Sequence, residues 1–246
     1  MNIVVTGGGT IAPIDDVRSI TNLSTGQFSA QISEALLLQG AHVTHIHAPS
    51  ALLPFHRLAT LNLDATDQKL ELVRLANLHR DYEACRERLR LRPIGAGRVR
   101  DYQEVLKAEL LGKQVDAVFL AMAVSDFEPD PFQGKIGSDC SELILNLHPT
   151  SKVIRQVRDW SPATYLVGFK LLSGSKFEVL IETARQACLA NRADLTVAND
   201  LSSLRDRRHL IHLVGADGLR KTIGPGGLVA SQLVEHVINT LRGSVT

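Results

Sequence analysis

Apolar and polar positions along the chain change period several times, and each change marks an element. Ile3-Val4-Val5 is a short unbroken apolar run of the kind found in strands buried on both faces. Phe28 to Gln39 carries Phe28, Ile32, Ala35, Leu36 and Leu38 at helical spacing and stops at Gly40, placed as a C-terminal cap glycine would be. His42 to Ala48 alternates around Val43 and Ile46 and reads as a second strand, closed by Pro49-Ser50. Strand, helix and strand within fifty residues predict a parallel sheet with a right-handed crossover. Further on, Tyr102–Lys113, Lys152–Trp160, Phe177–Asn191 and Gly227–Leu241 read as helices. Asp116–Val124, Thr164–Phe169 and Leu195–Ala198 read as buried strands, and Leu210–Val214 with Leu219–Ile223 as a hairpin around Ala216-Asp217-Gly218. Leu143–His148 alternates and reads as an edge strand or an arm. Asp67–Arg92 reads as a charged surface helix, and Arg86–Arg100, with six arginines, as a surface linker. The alternation runs end to end without a repeat. It predicts a single α/β domain over residues 1–246, doubly wound on a mostly parallel, Rossmann-like sheet, with residues 52–100 as a charged helical insert.

Composition narrows this picture. With 246 residues, 44% hydrophobic and 22% charged residues and a net charge of +1, the chain can bury a core and shows no nucleic-acid footprint or acidic tail. No apolar run reaches the roughly eighteen residues of a membrane span. The chain enters its first strand without a signal peptide. Cys85, Cys140 and Cys188 are odd in number and widely spaced, which predicts reduced thiols and a cytoplasmic protein.

Candidate chemistry gathers where strands end. The first strand runs directly into Gly7, Gly8 and Gly9, which put bare backbone N–H groups at the carboxyl edge of the sheet, where open α/β sheets bind ligands. Gly7, Gly9 and Ala12 satisfy G-x-G-x-x-A, but Pro13, Asp15, Asp16 and Arg18 intervene before the helix, which starts near Thr25. A dinucleotide site needs its helix to begin within the glycine turn. The long loop, ending in Asn22-Leu23-Ser24-Thr25-Gly26, suits a mononucleotide or acyl phosphate better. The plainer reading is a glycine-rich turn with a Ser/Thr helix cap. Ala123-Val124-Ser125-Asp126, Gly168-Phe169-Lys170 and Asn199-Asp200 end other strands and would share the same edge. Phe169 reads as core or as a base-stacking ring. Asp126 reads as a turn former, a ribose acceptor or a water-mediated Mg²⁺ contact. Lys135, between glycines in QGKIGS, reads as an exposed lysine or as a mobile charge for a phosphate.

Taken together, VTGGGTIAPIDDVRSITNLSTG, AMAVSDFEP, KIGS, VGFKLL and ADLTVAND resemble the phosphopantothenate–cysteine ligase family, in the stand-alone form. The resemblance covers most of the chain outside Leu52–Arg100. It implies attack of the 4′-phosphopantothenate carboxylate on CTP or ATP with Mg²⁺, release of pyrophosphate, and displacement of the nucleotide by the amine of L-cysteine. By the same resemblance, Asn22 holds the acyl-nucleotide and Lys135 stabilises charge on the phosphates. Gly7, Gly8, Gly9, Ser24 and Gly26 hold phosphates, while Ala123, Asp126, Phe169 and Asn199 hold the nucleoside. Arg18 meets a phosphate or pairs with Asp15 and Asp16. A homodimer is implied, with a protruding arm around Asp130–Leu147, and no nucleic-acid or membrane partner. No metal ligand is assigned. Two departures stand out: residues 187–192, before the VAND strand, lack the lysines usual in CTP-using bacterial members, and Arg205, Arg207 and Arg208 replace asparagines. An NAD(P)-dependent reductase is disfavoured by His45, His47 and Ala48 at the second strand's end, where an acidic or basic ribose reader would stand. A non-catalytic regulatory member of the family is the other alternative.

Overall fold

The computed structural model describes residues 1–139, 141–205 and 209–243. β1 (Asn2–Gly7) leads into a short hairpin of β2 (Ile11–Pro13) and β3 (Ser19–Thr21), then α1 (Gln27–Leu38) and β4 (His42–His47). α2 (Gln68–Glu83) crosses to β5 (Leu89–Pro93), and α3 (Val99–Leu110) to β6 (Ala117–Leu120). A ribbon of β7 (Phe127–Pro129) and β8 (Leu147–Pro149) precedes α4 (Val153–Trp160) and β9 (Tyr165–Leu172). α5 (Phe177–Ala190), β10 (Leu195–Asp200), α6 (Leu201–Arg205), β11 (Ile211–Gly215), β12 (Gly218–Ile223) and α7 (Val229–Gly243) follow.

The central sheet has the order β12-β11-β10-β9-β6-β1-β4-β5. The stretch from β10 to β5 is parallel, and β11 and β12 add an antiparallel edge. In chain order the parallel part winds outward from β1 through β4 to β5, then returns to β6 on the other side of β1. This is the doubly wound α/β plan, with its topological switch between β1 and β6. Helices cover both faces. Ile32 and Leu36 of α1 and Leu233 and Val237 of α7 pack on Val5, Phe119 and Val197. Tyr102 and Leu106 of α3 and Val157 of α4 pack on Val4, Val118 and Leu166, and Leu180 and Ala184 of α5 on Ala198. The strands therefore read as continuous apolar runs because both of their faces are buried.

The region after residue 52 departs from expectation. The helix expected over Asp67–Arg92 stops at Glu83, and Leu89–Pro93 joins the sheet as its edge strand, parallel to β4. The alternation Leu89-Arg90-Leu91-Arg92 has the period of a strand, so successive side chains leave on opposite faces. Leu89 packs on the α1 side. Arg90 and Arg92 meet Glu109 of α3, a carboxylate only 4% exposed, at 3.2 and 3.0 Å, and Lys113 completes the cluster at 2.9 Å. The arginines thus fasten the edge strand to α3 in place of lining a solvated linker. α3 also begins three residues before the expected Tyr102, and only Leu147–Pro149 of the alternating stretch around residue 145 is a strand. The β2–β3 hairpin was not anticipated.

His45 is fully buried on β4, with its Nδ1 2.8 Å from Ser33 Oγ of α1. Burial, and secondarily the neighbouring His47, push its pKa down to about 3. The folded pKa lies below the unfolded value of about 6.5, so the stabilising balance is intact above that pH. As pH falls toward the folded value, each unit costs about 1.4 kcal/mol. Replacing His45 with Gln is expected to flatten the loss of unfolding free energy between about pH 6.5 and 4.5 by this amount per unit. Denaturant titrations across that range measure it, and parallel curves for the two proteins would contradict it.

Candidate active site

At the switch between β1 and β6, backbone pairing continues past the carboxyl ends of both strands. Ala123 N donates to Gly8 O at 2.8 Å and Thr10 N to Ala123 O at 3.0 Å. Side-chain hydroxyls extend the zipper, with Met122 N on Thr6 Oγ1 and Ser125 N on Thr10 Oγ1. The glycines are needed for packing. A Cβ on Gly7 would lie 1.8 Å from Ser29 Oγ, and one on Gly9 2.6 Å from Asn22 O. Gly8, at φ +90°, would push a Cβ to 2.8 Å from the methyls of both Ala48 and Ala51. Gly26, at φ +76°, is the residue that caps α1, and its Cβ would stand 3.2 Å from Gly8 N. A glycine in the left-handed region therefore occupies the place where a Ser or Thr cap was one reading. Thr25 Oγ1 accepts only a long bond from Gln27 N, at 3.3 Å. Ser24 N donates to Asn22 O at 2.8 Å and closes the turn. Gly7, Gly8, Gly9, Asn22, Ser24, Gly26 and Ala123 thus form one contiguous patch of rim.

The neighbouring strands add aromatic side chains. In register, Phe169 pairs with Val197 and Leu171 with Asn199, so Phe169 and Asn199 share the α1 face. Phe169 stands edge-on to Phe28 of α1 with centroids 6.2 Å apart, and Phe28 edge-on to His209 at 4.5 Å. Burial lowers the His209 pKa. Phe28 and His209 belong to this rim but were not singled out from sequence. Phe28 had been counted only as a core position, although its place two residues past the capping glycine was the available signal. Asp126 lies elsewhere on the edge. Its exposed carboxylate is bound by Lys152 Nζ at the start of α4, and its carbonyl accepts from Thr150 N.

A second assembly carries Lys135. Asp15 is 5% exposed and accepts from Val17 N, Arg18 N, Arg18 Nε and Ile136 N at 2.7–3.1 Å. The Arg18 guanidinium, foremost, holds this carboxyl well below the usual range. Arg18 also donates to Ile136 O at 2.9 Å. Asp16 accepts from Gly134 N at 3.0 Å and donates its own N–H to Gly134 O, and Phe132 N bonds Ile14 O. Residues 132–136 are therefore zipped onto the tip of the β2–β3 hairpin. Exposed Lys135 sits on that tip, and Asn22 follows the end of β3. The Lys135 segment is thus fastened to one end of the hairpin, and Asn22 stands at the other. Arg18 is committed to Asp15, while Asp16 bonds backbone and not Arg18. The Arg205 side chain, Arg207, Arg208 and Cys140 lie outside the described residues. Among the described residues no group of His, Cys, Asp and Glu converges as a metal set, and no helix is long and apolar enough to cross a membrane.

Comparison with known proteins gives this geometry a context. A bifunctional coenzyme A biosynthesis protein of Thermococcus kodakarensis is 33% identical over 89% of this chain and 46% of its own length. The chain thus spans about half of that relative. A human phosphopantothenate–cysteine ligase is 26% identical over 90% of this chain and 78% of its own. Among solved structures, a variant of Cab2 in complex with phosphopantothenate-cysteine superposes with a TM-score of 0.78 at 26% identity, covering 99% of this chain and 87% of that one. A family model matches residues 1–82 and 94–240, leaving out a short segment that holds all of β5. The chain belongs to the family of the DNA/pantothenate metabolism flavoprotein C-terminal domain, and the resemblance read from its sequence to phosphopantothenate–cysteine ligases is carried by its relatives.

Proposed function

We propose that the chain joins 4′-phosphopantothenate to L-cysteine at the expense of CTP or ATP, as a cytoplasmic enzyme of coenzyme A synthesis. What supports this reading is the tight backbone rim of Gly7–Gly9, Gly26 and Asn22, with the Lys135 loop fastened to the tip of the β2–β3 hairpin that leads into Asn22. In the first step a carboxylate oxygen of phosphopantothenate attacks the α-phosphorus, the bond to the β-phosphate oxygen breaks, and pyrophosphate leaves. In the second the cysteine amine attacks the acyl carbon, the nucleoside monophosphate departs, and the amine gives up a proton as the amide forms. Negative charge builds on phosphate oxygens in the first step. Gly7–Gly9, Ser24 and Gly26 would give backbone amides to these oxygens, the glycines adding no side chain of their own to hold a phosphate off. Lys135 supplies a point charge from a loop whose backbone is fixed on both sides. Asn22, at the other end of the β2–β3 hairpin, holds the acyl-nucleotide for attack. Phe169 and Asn199 take the nucleoside, with Ala123 leaving room and Asp126 on the far side of the edge. Mg²⁺ would come with the triphosphate and keep most of its ligands from phosphate and water. Asp126, an oxygen donor already shared with Lys152, would be its only contact with the protein among these residues. Arg18 acts by holding the Lys135 loop through Asp15 and Ile136.

A second copy of the chain completes the proposal. Phe127, Phe132, Leu143, Ile144 and Leu147, around the β7–β8 ribbon, are 44–74% exposed and suit an apolar contact between arms.

Two outcomes are expected. Purified protein with phosphopantothenate, Mg²⁺ and either CTP or ATP should release pyrophosphate, at most about one equivalent per site without cysteine and continuously with it. Absence of pyrophosphate with both nucleotides rejects the ligase reading. Lys135→Ala should slow pyrophosphate formation by about 100- to 1000-fold. Because Lys135 is exposed, the melting midpoint should not move. An unchanged rate removes Lys135 from the first step.

A further inference from the structure

The cations around the rim differ in what already holds them. Arg18 is paired with Asp15, and Lys152 with Asp126. Lys170 and Lys176 have no carboxylate within ion-pair distance among the described residues. Lys170 follows Phe169 on β9 and lies in register with Ala198, the residue before Asn199. It is half-buried and leaves the sheet on the α4–α5 face, the face on which Gly168 meets Ile154 of α4. Lys176 is the last residue before α5.

The loop that joins these lysines is held from the next strand. The Asp200 carboxylate accepts from Gly174 N at 3.1 Å, Ser175 N at 3.0 Å, Ser202 N at 2.9 Å and Ser202 Oγ at 2.6 Å. These bonds, that from Ser202 first, hold its pKa well below the usual carboxylate range. Four donors occupy the carboxylate, so it anchors the loop and leaves the ammonium groups available. Among the described residues, the other acidic side chains on this loop and the start of α5 are Glu178, exposed in the first turn, and Glu182, which is taken by Arg185 and Gln186.

Resting on the function proposed above, we propose that Lys170 and Lys176 form a second cationic contact for the polyphosphate of the nucleoside triphosphate, with Asp200 as the residue that positions their loop. A triphosphate brings several negative charges, and Lys135 with a set of backbone amides balances only part of them. Lysine is a compact charge on a flexible stem, suited to a phosphate that must arrive and leave. Lys170 directly follows Phe169, on the other face of the sheet, and Asp200, which holds the Lys176 loop, directly follows Asn199; this nearness along the edge favours the nucleotide over the phosphate of phosphopantothenate.

The test uses the full chain with Lys170→Ala, Lys176→Ala, the double variant, and Lys107→Ala on α3 as an exposed control. Each rim variant should raise the nucleotide KM about tenfold or more, and the double variant further, with the phosphopantothenate KM unchanged. Asp200→Asn should raise the nucleotide KM while leaving kcat at saturation near the parent value. Its effect should shrink in a Lys176→Ala background, a coupling that general destabilisation would not give. An unchanged nucleotide KM in the double variant overturns the assignment. So does a rise confined to the phosphopantothenate KM, which would place the lysines at that substrate's phosphate. Calorimetry with inorganic tripolyphosphate separates this from failure of the ligase reading. If the parent chain releases no pyrophosphate but binds tripolyphosphate, and the double variant does not, the phosphate site stands without the reaction. No binding by the parent removes the site.

Discussion

The carboxyl edge of the sheet is organised by one contact, where four stretches of backbone come together at Gly8 with almost no side chain between them. Its carbonyl takes the Ala123 amide, the α1 cap at Gly26 lies against its nitrogen, and Ala48 and Ala51 close the remaining side. Any Cβ here would meet two methyl groups at 2.8 Å while the backbone sat at a φ that L-residues avoid. The position of α1, the start of the loop after β4 and the continuation of β6 are all set by this contact. The same requirement keeps side chains out from between these backbones at the edge of the sheet.

The second fixed point is electrostatic. The Asp15 carboxylate is buried in a loop of short elements that have little apolar surface of their own, and it accepts bonds from both the hairpin and the segment around Ile136. A buried carboxylate is tolerable only when its acceptor sites are filled. Arg18 and the backbone fill them, and in doing so they tie together parts of the chain more than a hundred residues apart. The entropy of ordering the Lys135 segment is therefore met as the protein folds and not when a ligand arrives.

What could be read from sequence divides along these lines. Strands buried on both faces announce themselves, and so do helices with an apolar stripe, which is why the doubly wound sheet and its carboxyl-edge clusters were legible. β5 was not, because its outward side chains are arginines and their buried partner, Glu109, lies on the next helix. The β2–β3 hairpin was hidden by its shortness, since strands of three residues carry no readable period and its tip is held by Asp15. The sequence placed Gly7–Gly9 and Phe169 at the rim, and the motifs carried Asn22 and Lys135. It could not show that Arg18 is already engaged, that Asp126 faces Lys152, or that Phe28 and His209 stand with Phe169, because each depends on distant segments.

The clamp on β5 has one more consequence, for how copies of the molecule can meet. A strand at the end of a sheet invites another to add to it. Here the invitation is withdrawn. Two such borders brought side by side would align like-charged guanidinium groups across the seam, and turning them aside would mean breaking their hold on Glu109. Growth of the sheet past this border is thereby discouraged.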